Sequence, residues 1–125
     1  MNENELSNLI IGAAIKVHRE IGPGLFESVY EECLCKELSN LNLKIERQKK
    51  IDLIYNGENM GLAFKADILV EDCVLIELKS AEKLHDIYFT QTYSYLKLLN
   101  IKLGLLINFN ESLLKNGIKR VVNKI

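Results

Sequence analysis

Between Met60 and Lys79 apolar and polar residues alternate through two runs that flank Glu71-Asp72, and a repeat of two is the signature of β-strands rather than helices. In the first run Leu62, Phe64, Ala66, Ile68 and Val70 share one face, and Ala63, Lys65, Asp67, Leu69 and Glu71 share the other. In the second, Cys73, Leu75, Glu77 and Lys79 point one way and Val74, Ile76 and Leu78 the opposite way. Opposed residues of an antiparallel pair lie on the same face, so register decides whether Asp67 can meet Glu77. Pairing indices that sum to 144 set the two carboxylates opposite each other and need the three-residue connection Glu71-Asp72-Cys73. A two-residue Glu71-Asp72 turn gives 143 and sends them to opposite faces. We expect the former.

The remaining chain supplies what such a hairpin needs to be buried. Apolar residues at 6, 9, 10, 13, 14, 17 and 21 mark an amphipathic helix, with His18 just off its stripe in a structural, carbonyl-capping position. Gly22-Pro23-Gly24 breaks that helix and places the proline in the first turn of the next, expected over about Leu25 to Leu38 with Phe26, Val29, Tyr30, Cys33, Leu34 and Leu38 inward. Glu27 then sits in the first turn, where an acid offsets the helix dipole, and Glu31 and Glu32 read as exposed acids, Glu31 one turn on from Glu27. Lys44 to Tyr55 reads as a long strand, Leu84 to Leu99 as a third helix with Gln91 and Tyr95 on its stripe, Leu103 to Phe109 as a central strand and Ile118 to Val122 as a last one.

At 125 residues the chain is sized for one domain spanning 1–125. A net charge of −1 gives no whole-molecule attraction to nucleic acid, so any such contact must come from a local patch such as Lys44, Arg47, Lys49 and Lys50, or Lys115, Lys119, Arg120 and Lys124. Three cysteines without Cys-x-x-Cys spacing fit reduced thiols rather than a zinc site or a disulfide framework. With no signal-like start and no apolar run long enough to span a bilayer, a cytoplasmic protein without membrane contact is expected.

Gly24-Leu-Phe-Glu27-Ser-Val-Tyr30 resembles the defining motif of the GxxExxY proteins, a group within the PD-(D/E)XK nuclease superfamily. Val17-His18, Ile21-Gly-Pro-Gly24, the Asp67 strand, Glu77-Leu-Lys79, Gln91 to Tyr95 and Leu103-Gly-Leu-Leu-Ile-Asn-Phe109 resemble it as well, in the same order, over roughly residues 5 to 122. The resemblance implies a restriction-endonuclease-like α-β-β-β-α-β core, an α/β fold with a mixed central sheet flanked by helices. It implies a helix-borne acid at Glu27, a metal-binding aspartate at Asp67, and the acid and lysine of the D/E-x-K motif at Glu77 and Lys79. Gln91 and Tyr95 resemble the Gln-x-x-x-Tyr pair of exonuclease-like branches. Ala66 stands where the motif's proline would be, a change that removes no ligand.

The expected function is Mg²⁺- or Mn²⁺-dependent hydrolysis of a nucleic-acid phosphodiester, with DNA preferred to RNA as substrate. Hard carboxylate oxygens suit such ions, which are held by a few acids, water and the substrate phosphate. Asp67 and Glu77 would hold the metal with help from Glu27, Lys79 would orient the attacking water or accept its proton, and Gln91 and Tyr95 would position water, lysine or phosphate. The alternative is a binding module for nucleic acid or protein that keeps the nuclease fold without its chemistry. A homodimer is the assembly with which so small a nuclease would cover a duplex.

Overall fold

Two helices precede a five-stranded sheet whose middle strand carries the Glu77-Leu78-Lys79 triplet. The computed structural model describes residues 1–124, apart from the side chain of Ala63, whose face on its strand therefore lies outside the described residues. In chain order the elements are α1 (Glu3–Ile21), α2 (Glu27–Asn40), β1 (Ile45–Tyr55), β2 (Glu58–Val70), β3 (Val74–Lys79), α3 (Asp86–Leu99), β4 (Leu103–Asn108), a 3-10 turn (Leu114–Gly117) and β5 (Ile118–Val122). The sheet order is β1-β2-β3-β4-β5, antiparallel throughout except for β3 and β4, which run parallel and are joined through α3. The expected α-β-β-β-α-β core and mixed sheet are present.

The helices cover both faces. Leu6, Ile10, Ala14, Leu34 and Leu38 from α1 and α2 pack with Ile68, Val70, Val74, Ile76 and Leu78 in one cluster, and Tyr95 and Leu96 from α3 pack with Leu69 and Leu75 in another. β4 is buried along its whole length, as a strand with neighbours on both sides and helices on both faces must be. The Asn2 side chain accepts from the Glu5 amide at 2.8 Å to start α1, and Gly22, at φ 73°, ends it by donating to the His18 carbonyl. His18 is structural as expected, although its Nε2 donates to the Glu111 carbonyl at 2.7 Å rather than to its own helix, tying α1 to the loop after β4. No helix among the described residues is long and apolar enough to cross a membrane.

The register of β2 and β3 is the one that brings carboxylates together. Ile68 pairs with Ile76, Leu69 with Leu75 and Val70 with Val74, a sum of 144, and Glu71-Asp72-Cys73 forms the connection. Glu71 and Asp72 both take positive φ, 52° and 51°, a conformation that aspartate tolerates better than most residues with a Cβ and that β-branched residues rarely adopt.

Three local expectations are corrected. The apolar face of β2 is not continuous: Ile68 and Val70 face α1 and α2, whereas Phe64 and Ala66 pack on the α3 side, so the face changes at Asp67. Opposite Asp67, Gln48 in β1 takes φ 50°, which breaks the regular pleat from which strict alternation follows. α2 starts at Glu27, with Phe26 as its cap and Pro23 left in the preceding bend, so Phe26 is 83% exposed and Val29 stays at the surface. Glu31 takes an inward position on that helix and is buried rather than exposed.

Candidate active site

Glu27 owes its position to the tyrosine three residues later. The Tyr30 hydroxyl donates to the Gly22 carbonyl at 2.6 Å and accepts from the Leu25 amide at 3.1 Å, while its ring stacks on Phe109 with centroids 4.4 Å apart. Gly22 and Gly24, at φ 73° and 91°, allow the chain to fold back over that hydroxyl, a path closed to residues with a Cβ. The Ser80 hydroxyl donates to the Leu25 carbonyl at 2.6 Å and joins this loop to the end of β3. Glu27 is thereby fixed as the first residue of α2, beside the strands that carry Asp67 and Glu77.

Beyond the pair Ile68 and Ile76 the β2–β3 ladder stops, and side chains take its place. The Asp67 amide donates to Glu77 Oε1 at 3.0 Å, and the Leu78 amide donates to Asp67 Oδ2 at 2.8 Å. Each carboxylate thus satisfies a main-chain donor that the ladder would otherwise have used, and each keeps a second oxygen for another partner. Asp67 and Leu78 face a cleft of about 220 Å³ shared with Glu27, Ser28, Glu31 and Gln48.

The electrostatics of this group are those of crowded acids. Burial pushes the Glu77 carboxyl up to about 8, and the neighbouring Asp67 charge adds to the effect, partly offset by the Asp67 amide and Lys79. Asp67 is raised mainly by burial, against the Leu78 amide that favours its charged form. Glu27 is raised too, by burial, with Lys79 lowering it and Asp67 raising it. A buried Glu77 carboxylate beside the Asp67 charge cannot ionise cheaply without a counter-charge, which a divalent cation would provide. No three His, Cys, Asp or Glu side chains among the described residues converge as a ligand cluster; the acids available are Asp67 and Glu77, each tied by a main-chain amide to the facing strand. That donor set fits a magnesium-type ion, which retains water and takes substrate phosphate as further ligands.

Lys79 leaves β3 on the same side as Glu77 and lays its Nζ over the Tyr88 ring, 4.5 Å from the centroid. Its backbone is pinned from β4: the Phe109 amide donates to the Lys79 carbonyl at 2.9 Å, and buried Asn108 holds Ala81 through both ends of its amide, each at 3.0 Å. Tyr95 is buried against Phe64, with ring centroids 5.0 Å apart, and its hydroxyl is raised by burial, then by Glu77 and Asp67. Gln91 is exposed on α3 and makes no side-chain hydrogen bond to other described residues; the buried face of the helix is Thr92, Tyr95 and Leu96. The structure therefore gathers Glu27, Asp67, Glu77, Lys79 and Tyr95 around one end of β3 and leaves Gln91 at the outer margin.

Sequence reasoning missed Glu31, Gln48 and Asn108 in this region. The spacing of Glu31 from Glu27 was a signal, and so was a lone asparagine ending an apolar run; nothing local distinguished Gln48 from its neighbours on a mixed strand.

A family model described as the PD-(D/E)XK nuclease superfamily matches residues 4–121, a span that includes every residue of the group above. No curated protein and no solved structure matches the chain. The match covers all the elements from α1 to nearly the end of β5, and the chain belongs to the PD-(D/E)XK nuclease superfamily.

Proposed function

We propose that this chain is a single-domain, divalent-metal-dependent nuclease of the GxxExxY group that hydrolyses phosphodiester bonds, with DNA as its substrate. The observation that carries this reading is the reciprocal bonding of Asp67 and Glu77 at the point where the β2–β3 ladder stops. A purely structural hairpin has no use for two acids there, because aliphatic residues in a continuous ladder would be more stable.

Asp67 and Glu77 are the residues that would hold Mg²⁺ or Mn²⁺. Such an ion, when bound, supplies Lewis acidity toward the phosphate and makes water a better nucleophile. Lys79 hydrogen-bonds the attacking water, and its ammonium offsets charge growing on the phosphate oxygens. Glu27, which lines the same cleft, would accept a hydrogen bond from water there. Tyr95, whose hydroxyl feels the Glu77 and Asp67 charges, would position water, and Gln91, exposed one turn earlier, would contact a substrate phosphate. The oxygen of water becomes the new phosphate oxygen, the ester P–O bond breaks, and a proton passes to the departing sugar oxygen. The free thiols of Cys33, Cys35 and Cys73 are in keeping with a cytoplasmic setting.

The test is cleavage of single-stranded, double-stranded and branched DNA, and of RNA, with Mg²⁺ or Mn²⁺ and with chelator. Activity that needs the ion and is lost in Asp67→Ala, Glu77→Ala and Lys79→Ala supports the reading. Equal cleavage by the variants assigns the activity to a contaminant, and ion-independent oligonucleotide binding without cleavage supports the binding-module alternative.

A further inference from the structure

Gln48 lies in the middle of β1 with φ 50°, a left-handed backbone that a residue with a Cβ rarely adopts in a strand. The ladder lapses at this residue. Arg47 pairs with Ile68 and Lys49 with Ala66, while Gln48 and Asp67, which that register sets opposite each other, are not partnered. Strain of this kind persists where surrounding contacts hold it, and it concentrates at sites that use it.

The side chain of Gln48 is what the distortion places. Its Nε2 donates to Glu31 Oε1 at 2.7 Å and lies 3.4 Å from Asp67 Oδ1, a long contact on the oxygen that the Leu78 amide leaves free. With a carboxylate on each side, only the NH₂ end of the amide can face both, and its two hydrogens match the two acceptors. Glu31 is itself fixed: it is buried, and its Oε2 accepts from Arg47 Nε at 3.1 Å and Nη2 at 2.8 Å. Arg47 also binds Glu32 at 2.6 Å, so the chain of contacts is anchored on two acids of α2. Glu31, Gln48 and Asp67 line the same cleft.

We infer that Gln48 is a positioning residue for Asp67. Supported by Glu31 and Arg47, it holds the aspartate in the orientation that receives a divalent ion, and the left-handed backbone of β1 is retained for that purpose. This inference rests on the reading of Asp67 as an ion-holding residue. Partners of this kind, one step removed from the ion, typically change metal affinity by about 10- to 100-fold when removed.

The experiment compares wild type with Gln48→Gly, Gln48→Ala and Asp67→Asn in two measurements: Mn²⁺ affinity from the paramagnetic resonance signal of free Mn²⁺, and melting temperature in chelator. Both Gln48 variants lose the amide, and only glycine relieves the backbone. The expected result is Mn²⁺ binding weakened by about 10-fold or more in both variants, with Gln48→Gly melting about 3–5 °C above Gln48→Ala. Affinity would follow the amide and stability the backbone, a separation that a merely structural residue would not produce. Wild-type affinity in either variant, or affinity that falls in step with melting temperature, overturns the inference while Asp67-dependent binding by wild type leaves the proposed function standing. Binding that is the same in wild type and Asp67→Asn overturns both.

Discussion

The two halves of the β2–β3 pair share one register and differ in everything else. At the turn, Val70 and Val74 are fully buried, and each strand satisfies the other through a regular ladder. At the open end, the carboxylates of Asp67 and Glu77 occupy the place of ladder bonds, and the apolar face of β2 changes side. One half is built for burial, and the other gives up regular pairing for two acids, Asp67 facing a cleft and Glu77 buried behind it. On the proposed function, stability and chemistry are separated along a single hairpin, and substitutions in the two halves should separate in the same way.

The largest effects are expected at the open end, in activity. Asp67→Asn or Glu77→Gln should lower metal-dependent cleavage by about three orders of magnitude, since each removes a charge that would hold the ion. The same Glu77→Gln change should raise the stability of the metal-free protein by about 1–3 kcal/mol near neutral pH, because it removes a buried acid beside a like charge. The sign follows from linkage. Glu77 titrates higher in the folded chain than in the unfolded one, so its stabilising protonation is complete below the ordinary carboxylate range and is lost as pH rises through about 8. Denaturant midpoints of wild type and Glu77→Gln in chelator should therefore converge near pH 4 and diverge toward pH 9.

At the turn end the balance is reversed. Val74→Ala should lower stability by about 2 kcal/mol through a cavity in the α1–α2 core, with turnover of the folded protein unchanged. A comparable loss of turnover would show that the halves are coupled. Tyr30→Phe removes both hydrogen bonds that close the Gly22–Leu25 loop and should cost about 1–2 kcal/mol, with a partial loss of activity as Glu27 loses its support. The smallest effect on stability belongs to the exposed Lys44–Asp72 ion pair at the turn, where Lys44→Ala should leave the denaturation midpoint unchanged.

The sequence made the hairpin legible because a two-residue period fixes faces, and an even sum was the only register that made use of both acids. Local patterning failed where tertiary contacts override it. Phe26 matched a helical stripe, but the loop pinned by Tyr30 delays α2 until Glu27 and leaves the ring outside. Glu31 looked like an ordinary surface acid because its partners, Arg47 and Gln48, lie on a strand 16 and 17 residues away. Alternation also carried the apolar face of β2 straight through Asp67, since a left-handed residue on the facing strand leaves no trace in the period. Asp67, Glu77 and Lys79 were legible as a group, whereas the support beneath them depended on contacts between distant segments.

The central claim is that Asp67 and Glu77 together hold one divalent ion. A calorimetric titration of Mn²⁺ at pH 7, repeated in two buffers of different ionisation enthalpy, tests it directly. The account requires one site per chain, abolished by Asp67→Asn, with a proton released on binding by wild type and not by any residual binding in Glu77→Gln. Binding that survives Asp67→Asn, or no binding by wild type, would contradict it.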